Sequence, residues 1–314
     1  MILMLTFKIP FKLQMSLLVG VAFLSGCAVA NHAIQSDFTA FNSVVQYNQS
    51  QQMLLNIVRI HFRESPEFLQ AASLSASYES TSVSGAGITG WGAPTYPTGG
   101  AANISYTFAT KPTITYTPID GKNFVQQFLY KITPDTCSML IDAGWPVKKI
   151  GDLLIDRVDL KNGVAVVNKP TSPTYPKFKE WIKAIQEAQS KDQLEIRSSS
   201  NGMVIHTPLE DRPVEALHFR SLADVMFVAA KNVETPASQK HFARDTDDGT
   251  GEIFIHSSRI PPFNAMISVW YRGHFYSISN NDLKSKDTFA LLMQLYRLQA
   301  APAGGTPVLT IPVK

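Results

Sequence analysis

Several groups of residues in this chain have types and spacings that could do chemistry. Gly85-x-Gly87-x-x-Gly90 matches the glycine pattern that lets a backbone approach a pyrophosphate. That chemistry needs the glycines to open a helix whose first N–H groups face the phosphates, with an acidic residue about twenty positions on for the ribose. The chain continues as WGAPTYPTGG and then NISYTFATK, which provides neither. The glycines therefore read as loop, and no nucleotide or other cofactor is expected. Asp245, Asp247, Asp248 and Glu252 gather carboxylates in ARDTDDGTGEIF and form the one weak metal candidate, for calcium. An EF-hand loop wants oxygen ligands at positions one, three and five and glycine at six. Counted from Asp245, Gly249 falls at position five and Thr250 at six, so the frame is wrong and a solvated Asp-Gly turn is expected. The histidines include His206, His218, His256 and His274, with no pair at metal-ligand spacing, and only the fold can bring them together. Neither G-x-S-x-G nor H-E-x-x-H occurs, so no catalytic residue is assigned and a non-enzymatic protein is expected.

Composition narrows the partners. The 314 residues suffice for one large or two modest domains, with 45% hydrophobic and 17% charged residues and a formal charge of +3. A charge fraction below the roughly 25% of typical domains suits an exported protein. Basic residues are scattered, as at Lys148-Lys149, and form no stripe, so a nucleic-acid partner is not expected.

The first residues read as an address. Lys8 and Lys12 precede the apolar run of LQMSLLVGVAFLSGC, which is too short for a stable span and fits a secretory signal peptide. Its ending, Leu24-Ser25-Gly26-Cys27, resembles the lipobox of bacterial lipoproteins. The resemblance implies cleavage before Cys27, whose thiol then carries diacylglycerol while its amine is acylated, commonly with palmitate. Ala28 stands where an inner-membrane retention signal would have Asp, which by the same resemblance implies the outer membrane, periplasmic face. Two or three acyl chains anchor a body firmly, whereas one alone is marginal. Cys137 is the only other cysteine, so a lipidated Cys27 leaves no intramolecular disulfide, and a buried, inert thiol is expected there.

The elements beyond the address predict an α+β fold: an N-terminal long helix, an extended antiparallel β-hairpin, then mixed helices and antiparallel strands. The helix begins near Ser36 or Asp37, with Phe38, Phe41, Val44, Val45, Leu54, Leu55, Val58 and Phe62 on its apolar face. Asn48, Gln52 and Asn56 form an amide stripe at i, i+4, i+8 that reads as a solvated face. Period-two alternation over 72–83 and 102–118 predicts two long strands. Ile104, Tyr106, Phe108, Ile114 and Tyr116 share one face, and Ser and Thr occupy the other. Further helices are expected over 120–131, 134–143 (capped by Thr133 and closed by Gly144), the SPTYPKFKEWIKAIQEAQS segment, 221 onward with a Ser221-x-x-Asp224 capping box, and 282–299. DLLIDRVDLKNGVAVVNK reads as a hairpin turning at Asn162-Gly163, EIFIHSS as a strand, and AMISVWYRGHFYSIS as a hairpin turning at Arg272-Gly273. Short strands are expected near 193–198 and 203–207, with PVLTIPV closing the chain. The expected organisation is signal peptide 1–26, lipidated tether 27–35 and body 36–314, the body divisible into 36–146 and 147–314.

This order of features, carried by MLLNIVRIHFRESPEFL, PTITYTPIDGKNF, WYRGHFYSI and FALLMQLYRLQ…PVLTIPV, resembles a family of uncharacterised proteobacterial outer-membrane lipoproteins. The resemblance implies the envelope location and carries no activity. Expected partners are the lipid bilayer through acylated Cys27 and other proteins of an envelope complex serving secretion or transport. The 70–118 hairpin offers an alternative. Its arms exceed the 9–11 residues that cross a hydrocarbon core, and Trp91 and Tyr96 at its tip are types that favour membrane interfaces. As a homo-oligomer it could pool hairpins into a pore, with Ile104, Tyr106, Phe108, Trp91 and Tyr96 as the membrane or partner contacts. The plainer expectation is that the hairpin's apolar face covers the protein's own core. A periplasmic enzyme or small-ligand binder is the third reading.

Overall fold

The computed structural model describes residues 39, 41–87, 101–119, 121–160, 163–191, 193, 195–199, 202–206, 214–244, 251–299 and 309–310. The fold is α+β, with antiparallel sheets and several helices. The chain divides into two units, Met1–Gln49 and Ser50–Lys314. Residues 41–49 of the first are helical, and Val44 and Tyr47 in it are exposed. Its other sequence features, among them Cys27 and the expected helix start at Ser36 to Phe38, lie outside the described residues.

The second unit opens with α1, helical residues 50–61. Met53, Leu54, Ile57, Val58, Ile60 and Phe62 are all buried, so apolar side chains surround this helix where a single stripe was expected. Gln51 donates to the Ser268 carbonyl at 2.9 Å. The amide stripe is not solvated. Asn56 is fully buried, its Nδ2 donating to the Glu67 carbonyl (2.6 Å) and its Oδ1 accepting the Glu67 N–H (3.0 Å). The orientation of the Gln52 amide that satisfies both its atoms gives the same two-point pairing with Leu69, at 3.0 and 2.5 Å. Residues four apart on a helix and two apart on a strand are thus matched, and two amides continue the edge of the next strand as a neighbouring strand would.

That strand is β1 (Phe68–Gly87), and it pairs with β2 (Ala101–Ile119) from Phe68↔Ile119 to Gly87↔Ala101. β11 (Leu309–Thr310) adds to β1 in parallel at Leu74 and Ser75, giving the order β11-β1-β2. A one-residue bulge lies between Ala71 and Ser73 and reverses the parity of β1 at its base. At the root the packing differs from the expected one. Phe68 and Ile119 enter the core, and Ile119 shares the parity of Thr113, Thr115 and Thr117 in β2. Leu69 (43% exposed), Tyr116 (37%) and exposed Pro118, on the apolar side, face outward. The hairpin's root is thus held by Phe68 and Ile119, while Leu69, Tyr116 and Pro118 beside them face the surroundings.

After β2 the chain forms α2 (Gly121–Phe124), which runs into a π-helical turn, Val125–Leu129, in place of one regular helix. Its rings complete a stacked cluster: Phe68–Phe128 centroids are 4.3 Å apart, Phe124–Phe128 4.9 Å and Phe68–Tyr296 5.5 Å. α3 (Pro134–Asp142) starts as expected, Thr133 Oγ1 accepting the Thr136 N–H at 3.3 Å. α4 (Val147–Leu154) occupies residues expected to begin a strand. Gly151 lets it approach α5 (Tyr175–Ser190), since a Cβ there would lie 2.0 Å from Cδ1 of buried Ile182. Phe178, Trp181, Ile182 and Ile185 of α5 face inward as expected.

β3 (Ile155–Leu160) lies between β4 (Ala165–Val167) and β7 (Val214–Phe219), and β5 (Glu195–Ser199) pairs with β6 (Gly202–His206). Gly163 (φ 78) turns the β3–β4 hairpin, and its expected turn partner Asn162 lies outside the described residues. α6 (Leu222–Ala229) carries the full capping box between Ser221 and Asp224. β8 (His256–Ser258), β10 (His274–Ser279) and β9 (Ala265–Tyr271) form the last sheet, with β10 central. β9 and β10 turn at Arg272 (φ 48) and Gly273 (φ 79), the paired left-handed residues of a tight hairpin. α7 (Leu283–Gln299), with Phe289, Leu291, Leu292, Leu295 and Tyr296 buried, packs on β10. Among the described residues no helix is long and apolar enough to cross a membrane.

Candidate functional site

Among the described residues one concavity has a volume of about 790 Å³. Its wall is built from three distant segments: Arg63 just past α1, residues 231–244 after α6, and Phe254 to His256 leading into β8. Arg63, Lys231, Lys240, His241, Arg244 and His256 line it, against a single acid among the described residues, Glu234.

The end of α1 sets the first wall. Glu64 N–H reaches the Arg59 carbonyl (2.8 Å) and Arg63 N–H the Ile60 carbonyl (3.1 Å), which is a Schellman closure. The left-handed residue of that closure is ordinarily glycine, and here it is Arg63 at φ 64. An L side chain in that conformation costs roughly 1–2 kcal/mol. Arg63 Nε donates to the Ala243 carbonyl at 3.3 Å, and Arg244 Nε returns the tie to the Ile60 carbonyl at 2.8 Å. The Arg244 guanidinium lies 4.9 Å over the Phe227 ring. Beside them Arg272 pairs with Glu64 at 2.9 Å and lies within about 5 Å of the Phe62 and Phe242 ring centroids, at 5.2 and 5.1 Å.

His61 locks the floor to the 230–235 segment. A carbonyl can only accept, so Nδ1 donates to the Ala230 carbonyl (3.1 Å) and Nε2 accepts from the Thr235 hydroxyl (2.6 Å). A hydroxyl against an imidazole is the geometry of an activated nucleophile. A general base must also carry the proton, however, and here burial first, then Arg244, push the His61 pKa below its ordinary value despite the Ala230 carbonyl. The pair is built to keep the imidazole neutral, which makes it a tie between segments.

The sign of the pH effect follows. Unfolded His61 binds a proton more readily than folded His61, so its contribution to stability is complete above the ordinary value of 6.5 and is lost as pH falls below it. Urea titrations at pH 7.5 and 5.5 are expected to show acid destabilisation with a slope of up to about 1.4 kcal/mol per pH unit, reduced in His61→Gln. Equal slopes in the two proteins would refute the tie.

Of the residues singled out in the sequence, His256 lines the cleft, and the other described ones have different settings. Glu252 pairs with Lys284 at 3.2 Å; Asp245, Asp247 and Asp248 lie outside the described residues. Among the described residues no group of three His, Cys, Asp or Glu is placed to hold a metal ion. His218 joins Asp159 (2.7 Å) and Arg157 on the β3–β7 surface, His274 contacts Gln239, and His256 faces Glu234 at 3.8 Å, so each has its own setting. Gly85 and Gly87 lie in β1; Gly90, Trp91 and Tyr96 lie outside the described residues, as do the side chains of Ile104, Tyr106 and Phe108. Cys137 is buried, which pushes its thiol up to about 12 and away from reactivity.

The chain matches no protein-family model, no curated protein and no solved structure.

Proposed function

We propose that this protein is a non-enzymatic lipoprotein of the outer membrane, anchored through acylated Cys27 and facing the periplasm, whose body serves as an accessory or assembly subunit of an envelope complex. The observation that carries this reading is the hairpin. Its paired ladder of some nineteen residues is about 60 Å long at 3.4 Å per residue. A two-stranded ribbon is marginal by itself in water. Among the described residues β11 supports it only at Leu74 and Ser75, and no strand pairs with the outer edge of β2. At its root the apolar face is exposed through Leu69, Tyr116 and Pro118. An unpaired edge and an outward apolar face both suit strand addition by a neighbouring protein. The Ile260-Pro261-Pro262-Phe263 loop, with Ile260 and Phe263 exposed, offers a second apolar contact.

Two measurements test it. Cys27→Ser is expected to move the protein from the membrane to the soluble fraction; undiminished attachment overturns the anchor. Extraction of the acylated protein in mild detergent is expected to bring other envelope proteins with it, in amounts that fall when residues 70–118 are deleted. A large homo-oligomer alone, with membrane leakage that depends on the hairpin, would favour the pore.

A further inference from the structure

We infer that the cleft between Arg63, the 231–244 segment and His256 is a binding site for a phosphate-bearing anion. Four Arg and Lys side chains and two histidines line one concavity of about 790 Å³ with Glu234 as the one described acid. Glu234 is already engaged, its Oε2 accepting the Ser257 N–H at 2.9 Å beside His256. Arg63, Lys240 and Arg244 gather positive charge around this hollow, which an anion inside it relieves.

The second observation is the backbone of Arg63. Glycine would close α1 without strain, yet the position holds an arginine in the left-handed region whose side chain goes to the cleft wall. A structural role for that side chain is slight, a single 3.3 Å bond to a main-chain carbonyl. Arg244 is fixed by the Ile60 carbonyl and the Phe227 ring, so its fork is pre-oriented. Arginine forks and lysines around a polar hollow suit the several oxygens and double charge of a phosphate better than a lone carboxylate. Asn232 and Thr235 add polar groups to the same wall.

The test is calorimetric titration of the full acylated chain in neutral detergent with inorganic pyrophosphate. Saturable binding is expected, weakened at least about tenfold in Arg63→Gly and in Lys240→Gln. Arg63→Gly is the informative variant, because it relieves the backbone and is expected to melt at or above the parent temperature while binding less. Lys240 is exposed, so its change leaves the fold alone. Short-chain phosphatidylglycerol that displaces pyrophosphate would identify a lipid headgroup as the source, and failure to displace it a free phosphate. Asp245, Asp247 and Asp248 follow Arg244 in sequence and carry the ligand's own sign, so their joint change to Asn is expected to leave binding equal or tighter. No saturable binding, binding indifferent to Arg63→Gly and Lys240→Gln, or binding lost in the triple Asn variant would each overturn the site.

Discussion

An Arg220→Met variant is expected to lose about 3 kcal/mol of stability and to melt roughly 6–12 °C below the parent protein. The reason lies at the end of α4. An α-helix leaves its last carbonyls without intrahelical donors, and here they are buried. Arg220 Nη1 donates to the carbonyls of Asp152 (3.1 Å) and Leu153 (2.9 Å), and its backbone N–H to that of Leu154 (2.7 Å). Nη2 reaches the carbonyl of Asn168 at 2.8 Å. Asn168 Nδ2 in turn serves the carbonyls of Asp152 (2.9 Å) and Ile155 (2.8 Å). A buried guanidinium thus neutralises the negative end of the α4 dipole and joins α4, β4 and β7. Methionine fills the volume but removes the side-chain donors of the Leu153 and Asn168 carbonyls and leaves that of Asp152 with Asn168 alone. Lysine keeps the charge but not the fork, and its loss is expected to fall between the two. Arg157→Met, which breaks an exposed pair with Asp159, is the control and should change stability by less than about 0.5 kcal/mol. A melting temperature for Arg220→Met within about 2 °C of the parent would show that the clasp is dispensable.

Neither half of that clasp could be read in the sequence, because its logic is tertiary. Features whose cause is local were legible. Thr133 caps α3, Ser221 and Asp224 close a capping box, Arg272-Gly273 turns a hairpin, and the inward face of α5 follows from its period. The strand expected over DLLID is partly α4, because a short apolar run fits a buried helix as well as a strand and only packing on α5 decides. The strand expected over EIFIHSS shrinks to His256–Ser258. Alternation in β1 and β2 gave the hairpin its extent and period. It could not give the bulge near Ala72, and one extra residue decides which face meets the core. The cleft was hidden for a plainer reason: residues 63, 231–244 and 254–256 are adjacent only after folding, and the pattern that marks them is an arginine where helix closure favours glycine.

The amide stripe links fold to proposed function, and the double variant Gln52→Leu with Asn56→Leu is expected to uncouple them. Leucine suits a helix and the apolar surroundings of α1, so the core should form with a stability loss of about 1–3 kcal/mol, from the N–H and C=O groups of Glu67 and Leu69 left without partners. The effect should concentrate at the hairpin root. Amide hydrogen exchange at Glu67 and Leu69 is expected to accelerate far more than exchange in α5 or α7. Asn56→Asp is the sharper probe, since it is the same size. Its carboxylate can still accept the Glu67 N–H but opposes the Glu67 carbonyl and is buried as a charge, so it should cost more than leucine at that position. If aspartate is tolerated better than leucine, the two-point pairing is not what fixes the strand. On the proposed reading membrane attachment depends on Cys27 and should survive all these changes. Capture of envelope partners requires a hairpin held rigidly at its root, with Phe68 and Ile119 in the core and Leu69 and Tyr116 outward, and it should fall with the stripe. Amides that pass for a solvated face in the sequence would then be the residues that aim the hairpin.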